Sequence, residues 1–446
     1  MKAFKIFSLC SFIIYYNFSN GQDNNLVNGH PAWIMQGNIY EVNVRQYTPE
    51  GTFKAFEKNL PRLKKMGVQT LWFMPITPIS KTDRKGMLGS YYAVSNYTAI
   101  NPEFGTMDDW KALVRHAHEL GFKIITDWVP NHSGADNNWL TTHPDFYKKD
   151  STGKIISAYD WTDTRKLDYT NVALQDSMIN AMKFWLKETG IDGFRCDVAG
   201  EVPDEFWKKC IPQLRSIKNI FMLAEGNNPS LHADGFDATY PWDEFHVMVD
   251  IAGGKKNAAS LDSIINVTGK TFPENALLMY FTSNHDENSW NKADYGTMPG
   301  ASHAPFAVLT QTLPRSVPLI YSGQEEPFLD SVSFFYKDTI FFNKYNRADF
   351  YSRLLQLRQK NKALAANASF IKLRTTDDKN IYAFMRQEGS SKILVIVNLS
   401  NTTHEFKIDE PVINGNPTNV FTSKKENIYN TETTRLDAWA YKVYVY

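Results

Sequence analysis

Short apolar runs recur between amphipathic helical stretches from about residue 38 to about residue 360. Eight of them can be traced: Asn38–Val42, Thr70–Met74, Lys123–Asp127, Gly193–Asp197, Ile220–Glu225, Gly235–Ala238, Leu277–Phe281 and Val317–Tyr321. Strand-like runs alternating with helices indicate a parallel sheet covered by those helices, and eight such units closing on themselves make a (β/α)8 TIM barrel. The expected fold class is therefore α/β. Between the third and fourth runs the helical period is lost over 133–170, a stretch rich in Asp, Asn, Thr, Lys and aromatics. Irregular loops of that length inside a compact domain are usually functional. Past Leu364 the texture changes to short alternating segments such as Ile381–Met385 and Ile393–Val397, which predicts a C-terminal antiparallel β domain.

At 446 residues the chain exceeds what one hydrophobic core usually supports, in keeping with a large domain plus a smaller one. Lysine plus arginine equals aspartate plus glutamate, 48 each. That balance gives no electrostatic reason to expect nucleic acid, an anionic membrane or a polyanionic substrate, and a neutral ligand fits better. Lys2 and Lys5 precede an apolar run from Ile6 to Tyr16 and then Ser19-Asn20-Gly21, the order of a cleaved export signal; the run is too short to span a bilayer. The expected organisation is a signal peptide at 1–21, a catalytic barrel at 22–363 with the insert at 133–170, and a β-sandwich at 364–446. Export would place the protein in the periplasm or outside the cell, with no membrane span after cleavage. Only Cys196 and Cys210 then remain, too few for a disulfide scaffold; the sequence leaves open whether they pair. Cys196 reads as core filler, since nothing nearby activates its thiol.

In a barrel of this kind the functional face is where strands end, and polar residues collect there. The third run ends Asp127-Trp128-Val129-Pro130-Asn131-His132, the fourth Arg195-Cys196-Asp197, the fifth Ala224-Glu225-Gly226 and the seventh Ser283-Asn284-His285-Asp286-Glu287-Asn288. Cleaving an acetal needs one group to protonate the departing oxygen and another to meet the oxocarbenium-like centre, and paired carboxyls do both. Arg195, two residues before Asp197 and so on the same side of the strand, can hold Asp197 ionised as a nucleophile. Glu225, with Asp286 as a third carboxylate, is the candidate general acid. His132 and His285 would donate to hydroxyls, and Asp127 reads as an organiser of Arg195. Taken singly, each carboxylate could equally be a helix N-cap; their convergence on one rim is what points to catalysis. Tyr92, Trp128, Trp139, Trp161, Trp242 and Trp290 are candidate stacking platforms, though core burial would explain any one of them.

These strand ends resemble the signature regions of glycoside hydrolase family 13, the α-amylase family: Asp127–His132 the first, Gly193–Asp197 the second, Glu225 the third and Phe281–Asp286 the fourth. Tyr91-Tyr92 followed by Tyr97–Thr106 resembles the segment after the family's second strand, and Lys166-Leu167-Asp168 its fifth region. The resemblance implies Asp197 as nucleophile, Glu225 as acid/base and Asp286 as transition-state stabiliser. It also implies sugar contacts from Tyr92, His132 and His285, with Asp127 and Arg195 in the same substrate-binding group. The insert would be the family's domain B and the β domain its domain C. Two departures bear on substrate. Val198-Ala199-Gly200-Glu201 is closer to the pattern of neopullulanases and cyclomaltodextrinases than to the Lys-His of many amylases, and Gly226-Asn227-Asn228-Pro229 lacks an aromatic common on the leaving-group side. The family also suggests a structural Ca²⁺ on Asn131, Asp168 and the carbonyl at Glu201. The resulting expectation is an exported retaining hydrolase of the α-amylase type, cutting α-1,4 bonds in starch-like glucans or maltooligosaccharides. A glucanotransferase or α-glucoside isomerase would share every one of these residues; a binding protein without catalysis would not need the acid.

Overall fold

The computed structural model describes residues 25–446 apart from 293 and 329; the expected signal peptide lies outside the described residues. Eight parallel strands form one sheet in sequence order: β1 (Ile39–Val42), β2 (Thr70–Phe73), β3 (Lys123–Trp128), β4 (Gly193–Cys196), β5 (Phe221–Ala224), β6 (Ala238–Thr239), β7 (Leu277–Leu278) and β8 (Leu319–Tyr321). The sheet closes where Leu278 bridges Ser316 in parallel and the Leu319 amide donates to the Tyr280 carbonyl at 2.8 Å. The domain is a (β/α)8 TIM barrel, and each strand falls on one of the eight apolar runs. β6 begins later and β7 ends earlier than those runs suggest. Barrel hydrogen bonding nonetheless continues past the regular ladder, with the Met279 amide donating to the Thr239 carbonyl at 2.9 Å.

Period-2 alternation decides what each strand residue faces. Tyr40, Leu71, Phe73, Ile124, Phe194, Cys196, Met222 and Ala224 pack into the core shared with the outer helices. Ile39, Trp72, Ile125, Phe221 and Leu223 belong to the second core. By the same parity Glu41, Asp127, Arg195 and Glu225 follow that second set, forming a polar layer above an apolar one. The covering helices follow ordinary rules. In Met107–Glu119, Trp110, Leu113, Val114 and Ala117 are buried at helical spacing, and Thr106 and Asp109 complete a capping box at its start. Asn171 caps Val172–Thr189, which ends on Gly190 at φ 74°.

The insert between β3 and β4 is anchored by an antiparallel pairing of His132–Gly134 with Thr164–Lys166. After the barrel, five antiparallel strands pair in the order β9 (Ser369–Leu373), β10 (Ile381–Glu388), β11 (Ser391–Asn398), β13 (Tyr441–Val445), β12 (Thr418–Asn419). β10 and β11 are joined by the two-residue turn Gly389-Ser390, where Gly389 sits at φ 56° and suits a tight hairpin. A separate ribbon pairs His404–Phe406 with Thr434–Leu436. Tyr382, Phe384, Val395 and Val443 share one core with barrel residues such as Phe306 and Leu313.

Arg386 on β10 fastens this sheet to the barrel. It is fully buried, and its guanidinium donates to the carbonyls of Thr312 at 2.8 Å, Leu313 at 2.7 Å, Ala365 at 2.8 Å, Ala368 at 3.1 Å and Ser369 at 3.0 Å. Arg386→Met would leave those buried acceptors without a donor and is expected to cost about 3 kcal/mol or more. The denaturant midpoint of the full chain checks this, and an unchanged midpoint would remove Arg386 from the role.

Candidate active site

β4 delivers the centre of the site. Arg195 is completely buried. One of its terminal nitrogens donates to Asp127 Oδ1 and Asp197 Oδ1, both at 3.0 Å. The other lies 3.0 Å from Glu225 Oε1, and Nε donates to the Tyr240 hydroxyl at 3.0 Å. The guanidinium also rides over the rings of Trp72 and Tyr240, at 5.2 Å and 5.6 Å from their centroids. A bare buried cation would be prohibitively costly; here three carboxylates and three aromatic faces, that of Tyr92 at 5.8 Å being the third, replace its water.

Each carboxylate is held differently. Asp127 accepts on Oδ2 from Trp72 Nε1 at 3.2 Å and from the Tyr92 hydroxyl at 3.0 Å. Burial lifts its pKa to about 6 against the pull of Arg195 and His285. Asp197, beyond the end of β4, has its amide bonded to the Trp128 carbonyl at 2.8 Å. Burial first, then the Glu225 charge, push its carboxyl above the usual range, with Arg195 opposing. Glu225, following β5, accepts on Oε2 from the Val198 amide at 2.7 Å. That amide is aimed by strain: Val198 is a β-branched residue in the left-handed region at φ 44°, ψ 42°, a conformation costing of order 1–3 kcal/mol.

Asp286 lies in the first turn of a short helix, His285–Asn291, capped by the Asn284 side chain rather than by Asp286 itself. Its Oδ2 is 3.2 Å from His285 Nε2. Desolvation is the largest single effect and pushes its carboxyl up, but the charge and hydrogen bond of His285, with Arg195 and Trp290, together hold Asp286 below the usual carboxylate range.

A cavity of about 500 Å³ opens above these groups. Asp197, Val198, Glu225 and Asp286 line it, with Tyr92 and His132 beside them. Trp161, Trp290, Phe334 and Phe335 add aromatic surface, and Lys85, Asp160 and Asp163 a charged edge. Tyr92 and Phe334 stack at 16° with centroids 6.1 Å apart. His132 is buried and its Nε2 has no protein partner. Burial, then Lys166, lower its pKa to about 3, so it is a neutral donor or acceptor.

Of the residues singled out from sequence, Tyr92, His132, Asp197, Glu225 and Asp286 reach the cavity. Asp127, Arg195 and His285 lie behind it, buried beneath the lining. Among the candidate platforms Trp161 and Trp290 face the cavity. Trp128 instead packs on Tyr97 and Phe194, Trp139 on Tyr97 and Phe146, and Trp242 on Tyr240 and Phe281. Cys196 and Cys210 are buried free thiols. Glu41, Trp72, Tyr240 and the Phe334–Phe335 pair were not among the residues singled out from sequence, and Val198 was singled out only for its bearing on substrate. Glu41 carried a signal, a charge inside an apolar strand at the parity of Ile39. The phenylalanines carried none, because their loop lies past the last strand.

The two side chains assigned to calcium do not fit that ion. Asn131 Oδ1 accepts from the Lys166 ammonium, and its backbone carbonyl accepts from the Leu167 amide at 3.2 Å. Asp168 Oδ1 accepts from the Thr170 amide at 3.2 Å and hydroxyl at 2.9 Å. Calcium takes six to eight oxygens, whereas Asn131 here faces a cation the chain itself supplies. No group of three or more His, Cys, Asp or Glu that could hold a metal occurs among the described residues.

Both domains of the chain have relatives among known proteins. The model of the α-amylase catalytic domain matches residues 12–161 and 147–391, and that of the α-amylase C-terminal all-β domain matches 374–445. The chain is 26% identical over 392 residues to α-amylase MalA of Haloarcula japonica, covering 83% of this chain and 56% of that protein's length. It is 27% identical over 418 residues to neopullulanase 2 of Thermoactinomyces vulgaris, covering 85% of this chain and 67% of that one. The crystal structure of the noncanonic maltogenic α-amylase AmyB from Thermotoga neapolitana superposes with a TM-score of 0.84 at 28% identity, over 92% of this chain and 99% of that one. With its catalytic barrel and its C-terminal sheet both matched, the chain belongs to the α-amylase family, glycoside hydrolase family 13.

Proposed function

We propose that the protein is an exported, retaining hydrolase that cleaves α-1,4-glucosidic bonds of starch-like glucans or maltooligosaccharides by double displacement. The observation that carries this reading is one buried guanidinium in contact with both Asp197 and Glu225 at 3.0 Å, beneath a single cavity. Two carboxyls on one guanidinium favour the closer spacing of about 5–5.5 Å used by retaining enzymes over the 6.5–9.5 Å of inverting ones. The aromatic wall suits the apolar faces of sugar rings. Relatives named as an α-amylase, a neopullulanase and a maltogenic α-amylase support an α-glucan substrate.

In the first step Glu225 gives its proton to the glycosidic oxygen as Asp197 attacks the anomeric carbon, forming a glycosyl-enzyme ester and releasing the leaving sugar. In the second, Glu225 takes a proton from water, the water oxygen bonds to the anomeric carbon, and Asp197 leaves as carboxylate. Arg195 keeps Asp197 nucleophilic by contact with Oδ1. Asp286, Tyr92 and the free Nε2 of His132 face the sugar bound over Asp197.

On soluble starch, pullulan and maltoheptaose, short maltooligosaccharides are expected as α-anomers, with Asp197→Asn slowed at least about 10³-fold. Longer glucans or an isomerised disaccharide would make the enzyme a transferase or isomerase instead. Glu225→Gln is expected to slow glucan cleavage about 10²–10⁴-fold while sparing an activated aryl glycoside, whose aglycone departs without protonation; equal losses on both would disqualify Glu225 as the acid. Finally, EDTA and added calcium are each expected to leave the melting temperature unchanged, whereas Lys166→Met lowers it. A chelator-sensitive melt would restore the metal.

A further inference from the structure

The reaction proposed above uses carboxylates just past β4 and β5 and on the helix after β7, and makes no use of Glu41. Yet Glu41 is fully buried on β1, in the same interior layer as Arg195. Its Oε1 lies 2.5 Å from His285 Nδ1, and its Oε2 has no hydrogen-bond partner. We infer that Glu41 is a positioning residue of this reaction: it holds His285 as an imidazolium with both ring nitrogens protonated, and that cation fixes Tyr92 and keeps Asp286 ionised under the substrate. The inference rests on the hydrolase reading.

A count of protons supports it. The Tyr92 hydroxyl has one proton, directed at Asp127 Oδ2 at 3.0 Å, an oxygen that also accepts from Trp72. The same hydroxyl lies 2.7 Å from His285 Nε2. With its proton committed, it can only accept there, so Nε2 carries hydrogen. At the other nitrogen a carboxylate accepts, so Nδ1 carries hydrogen as well. A neutral imidazole has one such hydrogen; this site uses two. Asp286, 3.2 Å from Nε2, supplies a second negative charge. Orientation is fixed further by Trp72, whose ring meets His285 edge to face at 85° with centroids 5.9 Å apart.

The surrounding charges agree. Around His285 stand Glu41 on β1, Tyr92 from the loop after β2, Asp127 on β3 and Asp286 on its own helix. Behind Glu41 stand Arg195 on β4, Tyr240 after β6 and Tyr321 on β8. Burial works against the imidazolium, yet Asp286 and then Glu41 raise its pKa well above the ordinary histidine value. Burial also raises Glu41, with His285 and Arg195 pulling it back, as expected of a pair bound through one short, charge-assisted bond. The sign follows: the working form is the protonated one, so function is lost as pH rises through the His285 pKa. Removing the Glu41 charge lowers that pKa and brings the loss to lower pH.

The test is Glu41→Gln, nearly isosteric and able to accept from Nδ1 through its amide oxygen. The alkaline limb of kcat/KM for maltoheptaose is expected to move down by about one pH unit or more, with the melting curve of a folded protein retained. In the His285→Gln background the same substitution should add no further displacement, because Glu41 acts through that ring. Nitrogen-15 NMR of histidine-labelled protein, with His285→Gln for assignment, should show both His285 nitrogens protonated at neutral pH in the parent and titrating at lower pH in Glu41→Gln. Superimposable pH profiles would overturn the inference, as would an equal displacement in the His285→Gln background or a neutral tautomer in the parent at pH 7. The NMR reading does not depend on substrate, so it fails or holds independently of the proposed hydrolysis.

Discussion

Arg195 is the constraint around which the catalytic end of this barrel is arranged. A guanidinium with no exposed surface must find hydrogen-bond acceptors and negative charge within the protein, and the strand ends of β3, β4 and β5 supply Asp127, Asp197 and Glu225. The dependence runs both ways. Three carboxylates packed this closely would repel one another and take up protons without the cation between them. Because Arg195 is planar and presents several donors in a fixed fork, it sets the carboxylate positions as well as their charge. A lysine would supply the charge without the geometry.

The barrel makes this arrangement affordable by separating its interior into layers. Apolar residues such as Ile39, Ile125 and Leu223 fill the lower part, and the polar layer begins two residues further along, at Glu41, Asp127 and Glu225. Asp127 and Arg195 are delivered by regular strand backbone and Asp197 and Glu225 by the first residue past it, so their orientation needs no loop ordering on substrate binding. Irregular backbone appears where it has a task. Val198 is held in the left-handed region so that its amide meets Glu225, and the insert supplies Trp161 to the cavity lining.

The same economy governs the cations around the site. Lys166 answers the Asn131 side chain where relatives were expected to place a metal, and His285, between Glu41 and Asp286, supplies positive charge beside the cavity without reaching into it. Apart from Lys85 at the edge, the lining is left to carboxylates, a tyrosine, a neutral histidine and aromatic faces, a surface suited to an uncharged polyhydroxyl ligand.

Much of this was legible in the chain itself. Strand positions follow from local periodicity, and a parallel barrel has only one way to pair eight consecutive strand–helix units, so order and closure came with the count. Asp127, Arg195, Asp197, Glu225 and Asp286 were legible because the barrel gathers strand ends, and strand ends are visible in sequence. Depth was not: that Asp127, Arg195 and His285 lie beneath the cavity while His132 and Tyr92 line it depends on how far each strand is tilted and sheared past its neighbours. Phe334 and Phe335 reach the site from a loop with no periodic signal, and the ammonium on Asn131 depends on the register of a hairpin 35 residues apart in sequence. Sequence determined which chemistry converges, because secondary structure is local; tertiary structure alone decided which groups touch substrate and which hold them, because that is set by distances between residues far apart in the chain.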